Sequence, residues 1–136
     1  MRDAIVEGAG AQEIENVETR ALGPFQLTAE DVLGTNGVIL FTPENLGYMS
    51  GALKDFFDRC YYPCLDRTEG TPYALCVRAG SDGAGTRRGV ETIVTGLRWR
   101  AIREPLICRG PWREEFVEQC RELGMLMAAG LDAGVF

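Results

Sequence analysis

The sequence predicts an α/β fold built on a parallel sheet, and three observations carry that expectation. Residues 37–42, GVILFT, form a continuous apolar run of β-branched and aromatic character, as in a strand buried on both faces. Strand-like runs alternate with helical patterns along the chain, which implies parallel strands covered by helices. At 136 residues, the chain has the length of one domain that can form a core without disulfides or metals.

Each element follows from a local pattern. Residues 1–11 read as the tail of a helix that ends at Gly8 and Gly10. Residues 16–22, NVETRAL, alternate apolar and polar types like a half-buried strand. Thr28, with Asp31 three residues on, is a capping-box signal for a short helix. After the 37–42 strand, Ser50 is placed to cap a helix on which Leu53, Phe56, Phe57 and Cys60 share one face. On that helix Lys54 precedes Asp58 by four and Asp55 precedes Arg59 by four, the spacing of ion pairs. Pro63 is expected to close it. Tyr61 and Tyr62 are expected to pack at its end or at a subunit contact. Residues 71–79, TPYALCVRA, read as the next strand, followed by a glycine-rich loop and a helix over 86–97. Residues 99–108 read as the last strand, with Pro105 marking an edge or an irregular stretch. Pro111 suits the first turn of a final helix, and Gly130 is expected to end it. Its apolar stripe is Trp112, Phe116, Cys120, Leu123 and Met127.

Composition removes several classes of function. A net charge of −6 argues against nucleic acid, which calls for a basic face, and supplies no basic patch for anionic lipids. There is no histidine, so His-based triads, His metal ligands and an imidazole base are excluded together. The five cysteines are odd in number and scattered. Cys60 and Cys64 are four apart with no second close pair to complete a zinc site, so structural thiols are expected. No signal peptide or long apolar span is evident, and free thiols suit a reducing cytoplasm.

Two loops are the candidate sites. In open α/β sheets, ligands bind beyond the carboxyl ends of strands, where residues 42–51 are expected to lie. The loop supplies Pro43, Asn45, Tyr48 and exposed backbone, which suit a flat, polar-edged ring; the alternative is a plain connection capped by Ser50. Residues 80–89, GSDGAGTRRG, have three readings: a second ring-facing loop, a solvated turn, or a phosphate cradle at a helix N-terminus helped by Arg87 and Arg88. Their spacing is not the G-x-G-x-x-G fingerprint.

The run TPENLGYMSGALKDFFD, residues 42–58, resembles the flavin loop of flavodoxin-like proteins, especially the NAD(P)H-dependent FMN reductase and NAD(P)H:quinone reductase group. The matching positions are Pro43, Glu44, Asn45, Gly51, Leu53, Lys54 and Asp58. GSDGAG, residues 80–85, stands in the place of that family's second flavin-facing loop. The resemblance implies a flavodoxin-like three-layer sandwich with strand order 2-1-3-4-5. It implies FMN held by Thr42, Pro43, Glu44, Asn45, Leu46, Gly47, Tyr48, Gly80, Ser81, Asp82 and Gly83. The amides of Asn45 to Gly47 would meet the polar edge of the ring, and Tyr48 would pack beside it. No residue is assigned as a catalytic nucleophile and no metal is expected. NAD(P)H and a quinone-like acceptor are the implied partners.

Against that family pattern, the first strand and the phosphate loop have no counterpart. The fold expectation is therefore N-terminally truncated, with an in-frame strand and a Ser/Thr-rich loop expected upstream of Met1. The strands at 16–22 and 37–42 must then pair directly, borrow a strand from another molecule or leave edges open, so a homo-oligomer is expected. The expected function is an FMN-dependent oxidoreductase that moves hydride or electrons through the flavin. The alternatives are a flavin-free, oligomeric interaction module, or a small-anion or nucleotide binder at residues 80–88.

Overall fold

A computed structural model describes all residues, 1–136. The chain divides into two compact units, Met1–Ala21 with Pro111–Phe136, and Leu22–Gly110. No helix is long and apolar enough to cross a membrane.

The first unit is a pair of helices, α1 (Arg2–Ala9) and α5 (Glu115–Asp132). They approach at two glycines. A Cβ on Gly8 would lie 1.9 Å from the Arg121 carbonyl oxygen, and one on Gly124 would lie 1.9 Å from that of Ile5. Glycine here permits backbone-to-backbone contact that any larger residue would block. Polar pairs tie the same elements: Arg121 Nη2 meets Glu7 Oε2 at 3.2 Å, and Asn16 Nδ2 donates to Asp132 Oδ1 at 2.8 Å.

Three expectations fail in this unit. Residues 16–22 form no strand. Their alternation is real, but a strand exists only as a ladder, and no partner strand lies beside them; the Asn16 N–H donates instead to Asp132 Oδ1. The final helix starts at Glu115 rather than at Pro111. It also runs past Gly130, whose missing side chain makes room for the Phe136 ring, and ends before Gly134, which takes the left-handed φ of +68°.

The second unit holds the sheet. Its elements are α2 (Ala29–Leu33), β1 (Val38–Asn45), β2 (Tyr48–Met49), α3 (Gly51–Cys64), β3 (Pro72–Ala79), α4 (Ala84–Gly96), β4 (Arg100–Ala101) and β5 (Leu106–Arg109), with a 3₁₀ turn over Pro24–Gln26 before α2. β1 pairs in parallel with β3 from Val38↔Tyr73 to Pro43↔Arg78. β4 and β5 both lie along the other side of β3, in parallel. The far edge of β1 carries only the antiparallel β2, at Glu44↔Met49 and Asn45↔Tyr48. Val38 to Phe41 therefore pair on one side only.

The single strand expected over 99–108 is broken in two. Between Tyr73↔Ala101 and Cys76↔Leu106, β3 advances by three residues while its neighbour advances by five. The extra residues bulge out, and Pro105, which has no N–H to give to a ladder, lies among them. The local helix signals hold. Asp31 N donates to Thr28 Oγ1 and Thr28 N to Asp31 Oδ2, closing the capping box of α2. Leu53 N donates to Ser50 Oγ at 3.2 Å, capping α3. Pro63 lies inside the last turn of α3 rather than beyond it, and α4 starts two residues before the expected Thr86.

Leu40, Leu75 and Val77 face the buried stripe of α3 (Leu53, Phe56, Phe57, Cys60, Cys64) and Val90 and Val94 of α4 in one core. Each such side chain contributes about 1.5–3 kcal/mol on burial. Burial also pushes the Cys60 and Cys64 thiols up, which keeps them protonated and inert. One polar atom breaks the pattern: Thr86 Oγ1 is fully buried and has no hydrogen-bond partner. Thr86→Val keeps the shape and removes the orphan group, so a rise of about 1 kcal/mol in unfolding free energy is expected in a urea titration.

Candidate functional site

The carboxyl end of β1 does not open into a loop. The strand continues to Asn45, turns at Leu46 and Gly47, and returns as β2. Both turn residues have positive φ, +52° at Leu46 and +74° at Gly47, the conformation of a two-residue type I′ hairpin. Glycine takes it freely, but leucine does not. The Leu46 side chain is fully exposed at the tip. The Leu46 and Gly47 N–H groups bond to nothing within the chain. Thr42 closes the base of the hairpin: its hydroxyl is buried, accepts from Ser50 N at 3.0 Å and donates to the Pro43 carbonyl at 2.9 Å.

The loop after β3 meets this hairpin through Glu44. One carboxylate oxygen accepts from Ser81 N and the other from Gly83 N, both at 2.7 Å. Gly83 takes a left-handed φ of +70° at the start of α4, and Asp82 Oδ1 accepts from Ala84 N at 3.0 Å. Converging amides at a helix start form an anion seat. Here the protein's own carboxylate fills it.

α4 supplies the second support. A Cβ on Gly85 would lie 2.0 Å from the Gly47 carbonyl oxygen, and one on Gly89 would lie 2.4 Å from the Tyr48 ring. The hairpin thus rests in a groove made by two glycines four residues apart. Lys54 Nζ holds Asp58 Oδ1 at 2.6 Å, and Arg59 Nε holds Asp55 Oδ2 at 2.8 Å, as the spacing requires. At the other end of α3, the Tyr61 hydroxyl lies over Gly96, while Tyr62 is exposed.

The structure therefore sets Glu44 of the hairpin against Ser81 and Gly83 of the second loop, and Gly47 and Tyr48 against Gly85 and Gly89 of α4. Asn45, Leu46, Gly80, Ser81 and Asp82 are exposed around them, whereas Thr42 is closed off inside. The phosphate cradle at 80–89 is not available in this form. Glu44 and Asp82 take its amides, and Arg87 is committed to Glu91 at 2.9 Å and Glu104 at 2.8 Å. Gly85 and Gly89 were missed as site residues, although their spacing on one helical face was a readable sign of close packing.

No family model matches the chain. A flavodoxin of Aquifex aeolicus (strain VF5) is 26% identical over 144 residues, which cover 94% of this chain and 77% of that protein. Among solved structures, a flavodoxin from the domain Archaea aligns with a TM-score of 0.78 at 14% identity, over 95% of this chain and 86% of its own. Oxidised Flavodoxin 1 from Bacillus cereus aligns with a TM-score of 0.75 at 18% identity, over 94% and 86%. By these likenesses the chain has a flavodoxin-like α/β fold, a mostly parallel sheet flanked by helices, and its sequence relative supports the same family.

Proposed function

We propose that the chain binds the ring of FMN between the hairpin at 42–48 and the loop at 80–83, and serves hydride or electron transfer through it. The observation that carries this reading is the Glu44 carboxylate, which joins the two segments at 2.7 Å to Ser81 N and Gly83 N. The joined segments leave the Leu46 and Gly47 N–H groups open at the tip, where a ring's polar edge needs donors. Exposed Leu46 and half-exposed Tyr48 offer apolar surface beside them. The donor set fits the ring; it offers no free amide seat at 80–84 for the phosphate. Bound flavin would supply the redox chemistry, and these residues would orient it and exclude water. NAD(P)H as donor, a quinone-like acceptor and a cytoplasmic setting complete the proposal, the last supported by the buried thiols of Cys60 and Cys64, which form no disulfide.

A fluorescence-quench titration with FMN, read beside the visible spectrum of the purified protein, tests the reading. Saturable quenching with flavin bands is expected; a colourless protein that takes up no FMN sinks it. Leu46→Gly sharpens the test. Glycine removes a left-handed strain of about 1 kcal/mol and also removes the apolar side chain. The free protein should become more stable by about that amount while FMN binds several-fold more weakly. A variant that moves both quantities in the same direction would count against ring contact at Leu46.

A second reading is favoured by the open edge of β1. Val38, Ile39, Leu40 and Phe41 are uncharged, pair on one side only and carry no edge-blocking lysine or proline. In this reading the chain is a flavin-free module that self-associates by pairing these edges between two copies. Light scattering across a dilution series separates the two: a stable monomer with saturable flavin binding rejects the second.

A further inference from the structure

Arg87 and Arg88 are neighbours on α4 with opposite fates. Arg87 is held by Glu91 and Glu104. Arg88 is exposed and forms neither an ion pair nor a side-chain hydrogen bond. Its guanidinium fork is left unspent beside a cleft of about 380 Å³, at the small end of the range that ligands occupy.

The cleft lies between Tyr48 of the hairpin, Lys54 of α3 and one face of α4. Gly85 and Gly89, on which the hairpin rests, lie along its wall, and Ile93 adds an apolar patch. Two cations and no carboxylate line it, although the whole chain carries a net charge of −6. Asp58 holds Lys54 in place and uses one of the three ammonium donors, which leaves the others for a ligand.

We propose that this cleft is a binding site for a flat aromatic ring that carries a phosphate or carboxylate. Arg88 takes the anion in a bidentate grip, Lys54 adds a second donor, and the ring lies along Tyr48 and Ile93. The cleft shares Tyr48 with the proposed flavin site but none of the Glu44-filled amides, and it does not require FMN to be bound.

Isothermal titration of the whole chain with 1-naphthyl phosphate, 2-naphthoate, inorganic phosphate and naphthalene tests the proposal. The two aromatic anions should bind saturably and lose affinity as salt rises. Inorganic phosphate and naphthalene should each bind more weakly than 1-naphthyl phosphate. Arg88→Gln, an exposed change on a helix surface, should weaken both aromatic anions about ten-fold, the order expected when a charge-assisted hydrogen bond is lost. Circular dichroism checks that the variant is folded, and Arg88→Lys should restore part of the loss. The proposal is overturned if no aromatic anion binds, if Arg88→Gln binds as the parent does, or if inorganic phosphate binds as well as 1-naphthyl phosphate. A lumiflavin titration of the same variant keeps the two sites distinct, because lumiflavin has the flavin ring and no anionic group for Arg88 to hold. Loss of naphthyl phosphate with lumiflavin quenching intact places the defect in the cleft alone, whereas a parent that binds naphthyl phosphate but no lumiflavin rejects only the flavin reading.

Discussion

Replacing Gly124 by alanine is expected to cost about 3 kcal/mol of stability, although alanine is the better helix former. At an open helical position the change would gain about 1 kcal/mol. At Gly124 the new Cβ would sit 1.9 Å from the Ile5 carbonyl oxygen and 3.0 Å from Ala9 N. Both are backbone atoms, which cannot swing aside as a flexible side chain can. α1 and α5 must separate, and overpacking of this kind outweighs the propensity gain. Thermal unfolding followed by circular dichroism should show a midpoint lower by roughly 10 °C. Gly51 is the internal control. It is the first residue of α3 and has nothing within 4 Å of an added Cβ, so Gly51→Ala should be neutral or slightly stabilising. Equal effects at the two positions would remove the close helix contact from the account.

Truncating Glu44 to alanine is expected to cost about 2–3 kcal/mol and to release the hairpin from the loop at 80–83. Two charge-assisted hydrogen bonds disappear, and the Gly83 N–H, which is buried, is left without an acceptor. Exposure of Ser81 lets water replace one of them, which keeps the loss below twice the usual value. Glu44→Gln retains one carbonyl acceptor and should recover part of the stability. Hydrogen exchange at Ser81 and Gly83 reports the release directly: their amides should exchange much faster in the alanine variant. FMN affinity, if present in the parent, should fall in both variants in the order of lost acceptors. Unchanged exchange at these two amides would show that Glu44 does not hold them in solution.

Features set by residues three or four apart were legible in the sequence. The Thr28–Asp31 box, the Ser50 cap and the Lys54–Asp58 pair each depend on helical spacing alone. The apolar runs at 38–42 and 72–79 were legible as strands because such a run needs no knowledge of its partner, whereas the continuation of β1 through 43–45 was not. What was hidden depends on distance in the chain. Glu44 and Ser81 are 37 residues apart, and nothing local to either marks the bond between them. The hairpin escaped notice because Leu46-Gly47 is not the Asn-Gly pair that favours its turn. Residues 16–22 show the reverse case: a correct alternation that formed no strand, because a strand is a property of two segments.

The glycines that seat the hairpin have a further consequence for α4. Its 13 residues include Gly85, Gly89 and Gly96 and six β-branched residues, Thr86, Val90, Thr92, Ile93, Val94 and Thr95. Each glycine costs about 1 kcal/mol of helix propensity against alanine. Such a segment has little reason to be helical on its own and takes its order from what docks against it. Amides of α4 should therefore open more often than those of β3, as a local unfolding unit. The hairpin that would meet FMN rests on this helix, and the proposed aromatic anion lies directly against it, so the binding of either would register as slower opening of α4, far beyond the atoms it touches.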